Sequence, residues 1–79
     1  MTTMSKLLNK QLIFRNKCKQ IISQIKGLTI KQIKLNGIDA TLIMVSNFDG
    51  KRYALEIHDW ESKTDYNIVV LLSKLFMTF

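Results

Sequence analysis

Between residues 5 and 26 the apolar side chains recur at the spacing of an amphipathic helix. Set at about 100° per residue, Leu7, Phe14, Cys18, Ile21, Ile22 and Ile25 fall within one arc, with Leu8 and Leu12 at its edge. Leu7, Gln11, Phe14, Cys18, Ile21 and Ile25 also alternate in steps of four and three, so the stripe serves either as a core face or as a short coiled-coil seam. Gly27 is the expected stop, and Lys26 before it suits the negative end of a helix.

Beyond Gly27 the period changes to two. Asn36-Gly37 and Asp49-Gly50 are preferred dipeptides for two-residue hairpin turns, which predicts three antiparallel strands. Tight turns at both places pair 35 with 38 and 48 with 51. Met44 then faces Leu55, Leu42 faces Ile57 and Ser46 faces Tyr53, and Ile33, Leu35, Ile38 and Ala40 join the same face. The apolar pattern slips by one between Ile30 and Ile33, which predicts a bulge near Lys31-Gln32.

From about Ser62 to Met77 a second helix is expected. Ser62 and Asp65 stand at the spacing of a capping box, and Ile68, Leu72, Leu75 and Phe79 line one face with Val69 and Phe76 beside them. The competing reading is a fourth strand from Asn67 to Leu72, because Ile68-Val69-Val70 is β-branched. Helix, three-stranded meander and helix make an α+β two-layer sandwich, one domain over residues 1–79. That order resembles the double-stranded RNA-binding domain. In that family a short basic stretch before the last helix grips phosphates, and Ser62-Lys63 stands at its place here. The resemblance is one of element order. The first helix is about twice the family's length, the first hairpin is tight, and only Lys63 stands for the lysine cluster, so no membership is drawn from it.

Composition narrows the picture. A chain of 79 residues, 47% of them apolar, buries as one core only roughly 60% of its unfolded surface. One cysteine and one histidine provide neither an internal disulfide nor a zinc knuckle, so self-association is the expected reinforcement. No targeting segment is read at the N-terminus, and the longest uninterrupted apolar run, Ile68 to Leu72, is too short to span a membrane. A free thiol, no leader and many lysines point to the cytoplasm.

Charge changes the picture more. Of 12 Lys+Arg and 6 Asp+Glu, eight cations and no acid lie in residues 1–35, while all the acids lie in residues 36–79. Within the first helix Lys6 with Lys10, and Arg15 with Lys19, are like-charge pairs four residues apart, each costing roughly 0.2–0.5 kcal/mol. Lys6, Lys10 and Lys17 project from one flank together with an outward Ile13, and Arg15, Lys19 and Lys26 from the other. Two cationic ridges suit phosphates, each contact contributing through counterion release. Asp39, Glu56, Asp59 and Glu61 are the acids that could instead neutralise them within the fold.

Other chemistry is sparse. Glu56, His58 and Asp59 sketch a two-ligand or acid-base pair without a second histidine, so neither metal, cofactor nor catalysis is expected. Cys18 reads as a buried hydrophobe. Tyr53, Phe14, Phe76 and Phe79 read as core, leaving Trp60 and Tyr66 as candidate surface aromatics. Ile43, Val45 and Ala54, on the sheet face away from the core, are the expected homodimer interface. The expected class is a small non-enzymatic nucleic-acid-binding protein, RNA before DNA, using Lys6, Lys10, Arg15, Lys17, Lys19, Lys26 and Lys63. The alternative is an interaction or inhibitor protein, of the kind that viruses and mobile elements encode, docking on an acidic or nucleic-acid-processing protein. A helix lying on a membrane surface is the third reading.

Overall fold

A computed structural model describes residues 3–77, with side-chain surroundings for residues 5–75. Helix α1 spans Thr3–Ser23, strands β1, β2 and β3 span Leu28–Asn36, Asp39–Ser46 and Arg52–His58, a 3₁₀ turn covers Trp60–Ser62, and helix α2 spans Asp65–Met77. The sheet order β1-β2-β3 is an antiparallel meander. This is the expected α-β-β-β-α sandwich, and the segment read alternatively as a fourth strand is helical.

Alternation along β2 explains the layering. Ala40, Leu42 and Met44 are buried while Thr41, Ile43 and Val45 are only half-buried, so both helices lie on one face and the other is open. Phe14, Cys18 and Ile22 from α1, one turn apart, meet Ile68 and Leu72 from α2 over Leu28, Ile33, Ala40, Leu42, Met44, Leu55 and Ile57. Each fully buried Leu or Ile contributes about 1.5–3 kcal/mol, and Leu42→Ala, at the centre of the layer, costs about 2–5 kcal/mol.

Only the second half of the α1 stripe is covered. Phe14, Cys18 and Ile22 are buried, whereas Leu8 is 63% and Leu12 56% exposed, and Leu7 is exposed with them. The helix ends at Ser23, three residues before the expected last helical residue, Lys26. Bonds from Gln24 N to Ile21 O at 3.2 Å and from Ile25 N to Ile22 O at 2.9 Å tighten the last turn, bringing Ile25 against the core before β1 begins.

Both hairpins depart from the expected register by two residues. Asn36 pairs with Asp39, so the first loop is Gly37-Ile38. Gly37, at φ 62, takes the first central position, as in a type II′ turn. Ile38 sits in the turn at 60% exposure instead of on the core face. In the second hairpin Ser46 N bonds Lys51 O at 2.9 Å, and Met44 faces Tyr53, Leu42 faces Leu55 and Ala40 faces Ile57. Its loop has four residues because Ser46 gathers it: Gly50 N donates to Ser46 O at 3.0 Å and Phe48 N to Ser46 Oγ at 3.2 Å. Slips of two preserve the face that each strand side chain occupies. The bulge lies where the pattern slipped, between Ile30 and Gln32.

The chain leaves β3 through Asp59, held left-handed at φ 55, and this reversal corrects the reading of Trp60. The indole is 3% exposed, 5.2 Å from the Phe14 ring, and its Nε1 donates to Gly37 O at 2.8 Å. It ties the first turn to α1. The cap of helix α2 lies two residues after the expected one. Thr64 and Asn67 form the reciprocal box, with Asn67 N donating to Thr64 Oγ1 at 3.2 Å and Thr64 N to Asn67 Oδ1 at 3.0 Å. Its inward face is Ile68, Leu71, Leu72 and Leu75, with Val69 turned out. The expected roles of Phe79 and of the Phe76 side chain lie outside the described residues.

Candidate nucleic-acid interface

The seven cations expected at the interface divide into two groups. Lys10, Lys17 and Lys63 come together, since α1 passes the 3₁₀ turn and the start of α2. They line one depression of about 160 Å³ with Ile13, Phe14, Trp60 and Glu61. There the α1 lysines meet the acids of their own fold: Lys10 Nζ lies 3.3 Å from Glu61 Oε2, and Lys17 Nζ 3.5 Å from Asp65 Oδ1. All four groups are well exposed, so each pair contributes only about 0–1 kcal/mol. They nevertheless offset the local positive charge. Lys6, one turn earlier, is exposed and outside any ion pair among the described residues.

The other flank serves the sheet. Arg15 Nη1 donates to Ile33 O at 2.7 Å, satisfying a carbonyl of edge strand β1 with a half-buried guanidinium. Arg15 is therefore a structural residue first. Lys19 stands beside Leu28, Thr29 and Ile30 at the start of that edge, and Lys26 is exposed in the turn after α1.

The pairing registers order the open sheet face in rows. Asn36, Asp39 and His58 make one end; Lys34, Thr41 and Glu56 come next; then Gln32, Ile43 and Ala54; then Thr29, Val45 and Arg52. Lys31 enters at the bulge. Lys31, Lys34 and Arg52 surround Ile43 and Val45 in one shallow depression with Gln32, so the residues expected at a dimer interface lie among cations. Ala54 is exposed and Ile43 and Val45 are half-buried.

Charge is thus uneven along the strands. Asp39, Glu56, Asp59, Glu61 and Asp65 belong to the end holding the β1–β2 turn and the start of α2, where Lys10, Lys17, Lys34 and Lys63 offset most of their charge. The opposite end, with the close of α1 and the β2–β3 loop, carries Lys19, Lys26, Lys31, Lys51 and Arg52. Its acid is Asp49, whose carboxylate faces its own loop: Oδ1 accepts Lys51 N–H at 3.0 Å. That backbone bond, with the Ser46 hydroxyl, holds the Asp49 pKa below its ordinary value. Among the described residues no ion pair engages the five cations. Spacing along the sequence misses Lys31, Lys34 and Arg52 because strand cations look like ordinary solvated positions until the register brings them to one depression, and Lys51 lies in the loop just before β3.

The remaining candidates resolve simply. His58 Nδ1 lies 2.7 Å from Asp39 Oδ1 on the exposed face, and the described residues contain no cluster of three metal-ligating side chains. Cys18 is fully buried, and desolvation, with Asp65 nearby opposed by Lys17, pushes its thiol up to about 12. No described helix is long and apolar enough to cross a membrane. Tyr66 is exposed, as expected, beside Lys63 and Lys74. A second exposed aromatic, Phe48, stands at the cationic end at 85% exposure.

Comparison with family models, with curated proteins and with solved structures finds no match to this chain.

Proposed function

We propose that the protein binds nucleic acid, RNA before DNA, through the cationic end rather than through the Lys10 and Lys17 flank. The observation that supports this is the group Lys19, Lys26, Lys31, Lys51 and Arg52, free of ion pairs among the described residues, while Lys10 and Lys17 have partners in the fold. RNA is preferred because no helix-turn-helix presents a base-reading helix. Catalysis has no place in this reading.

Salt titration of a labelled RNA and a labelled DNA duplex tests it. Neutralising about four or five phosphates gives a log–log slope of roughly −3 to −5. Lys26→Gln with Lys51→Gln lowers the slope magnitude by about 1–2, and Lys10→Gln with Lys17→Gln changes it less. A slope near zero transfers the cationic end to the alternative occupant, an acidic protein surface.

Self-association is part of the same proposal. Leu7, Leu8 and Leu12 are exposed together on α1, whereas Ile43 and Val45 of the open sheet face are half-buried and Ile38 is exposed alone in its turn. We therefore place the pairing surface on the uncovered half of the α1 stripe, ahead of Ile43, Val45 and Ala54.

A further inference from the structure

We infer that Phe48 is a stacking platform for a nucleobase, so that the cationic end takes a single strand in preference to a duplex; this rests on the nucleic-acid reading above. An 85% exposed phenyl adds nothing to the core, yet the loop that carries it is tightly held. Asn47 N donates to Gly27 O at 2.7 Å, Thr29 Oγ1 lies 2.7 Å from Asn47 Oδ1, and Phe48 N donates to Ser46 Oγ at 3.2 Å. Lys51 N completes the loop by donating to the Asp49 carboxylate at 3.0 Å.

Gly27 shows where the ring rests. A Cβ there would collide with Phe48 Cε2 and Cδ2, so the phenyl lies against the glycine with the rest of its surface in water. Lys26 immediately precedes that glycine, and Lys51 and Arg52 follow the loop. An aromatic face framed by cations is how proteins hold single strands without reading sequence: the ring stacks on a base while the cations follow the phosphates. Because the loop is already ordered, little conformational freedom is lost when a base stacks. A duplex keeps its bases stacked on one another and offers Phe48 nothing but its ends.

The test uses the full chain and three labelled probes: a 12-nucleotide oligo-dT, an abasic phosphodiester of the same length, and a 12-base-pair duplex. Wild type is expected to bind oligo-dT more tightly than the abasic strand or the duplex. Phe48→Leu keeps a similar apolar bulk and removes the aromatic face. It should weaken oligo-dT binding by about 5- to 150-fold, leave the abasic strand unchanged, and be rescued by Phe48→Trp. Equal affinities of wild type for oligo-dT and the abasic strand, or equal losses on both in Phe48→Leu, overturn the stacking role and leave the nucleic-acid reading standing. If wild type binds none of the probes at low salt, that reading itself falls and takes this inference with it. Unchanged thermal midpoints confirm that each variant is folded.

Discussion

Single side chains here have purposes that their chemical type does not announce. Trp60 looks like a surface aromatic because it follows a strand end, yet its indole joins Phe14 to the carbonyl of Gly37. Trp60→Phe keeps the ring contact and loses the hydrogen bond, so urea unfolding should show a loss of about 1 kcal/mol. Trp60→Ala should lose about 3–5 kcal/mol. Nothing in the sequence foretells this, since the contact depends on the left-handed Asp59 that reverses the chain. Cys18 was legible, because its place in the helical arc fixed its burial. Its thiol ionises near 9.0 when the chain is unfolded and only near about 12 in the fold. The unfolded chain therefore gives up the proton first, and stability, present in full below about pH 9, falls as pH rises toward 12. Cys18→Ala should show a shallower alkaline loss than wild type in denaturant titrations between those limits. A thiol reagent at neutral pH should modify Cys18 at the rate of opening.

At the level of elements, period proved more informative than boundary. Period two assigned most strand side chains to the correct face even though both registers were displaced, because a displacement of two leaves parity intact. The displacement escaped notice because it is decided by turn hydrogen bonds, from Gly50 N and Phe48 N to Ser46 and from Lys51 N to Asp49. Ile38 is the casualty, moved from the expected core into a turn. The start of α2 shows the same division. Its inward face follows from spacing, whereas its cap is Thr64-Asn67 and not Ser62-Asp65. Thr64→Ala should cost about 1 kcal/mol, lowering the thermal midpoint by roughly 4–8 °C, while Ser62→Ala should cost less. Arg15 belongs at this level too, because one guanidinium fastens α1 to the β1 edge. Arg15→Met should loosen that edge, seen as faster amide exchange along β1 than along β3.

Across the whole molecule, the excess of positive charge in the first third of the sequence was legible and its address was not. A helix that looks uniformly basic becomes partly neutralised where it passes Glu61 and Asp65. The surplus moves to the far end, where it is joined by cations from β1 and the second hairpin. Those partners are remote in sequence, and spacing within one helix is silent about them. The proposed pairing belongs to this scale as well: in sedimentation, Leu12→Asp should give a monomer at concentrations where wild type is paired, and Ile43→Asp should not. Equal masses for wild type and Leu12→Asp would remove the helix-stripe pair. The molecule extends 45 Å along its major axis and about 20 Å across. The screening length at physiological ionic strength is only about 8 Å. The end where acids and lysines offset one another is then electrically invisible from the basic one, and the field of an approaching polyanion exerts on the protein a torque that turns it until the second hairpin leads. Diluting the salt lengthens that reach toward the size of the protein, so the charges of both ends begin to add up at a distance. Capture by a polyanion should consequently gain less from low ionic strength than the full set of lysines and arginines would suggest.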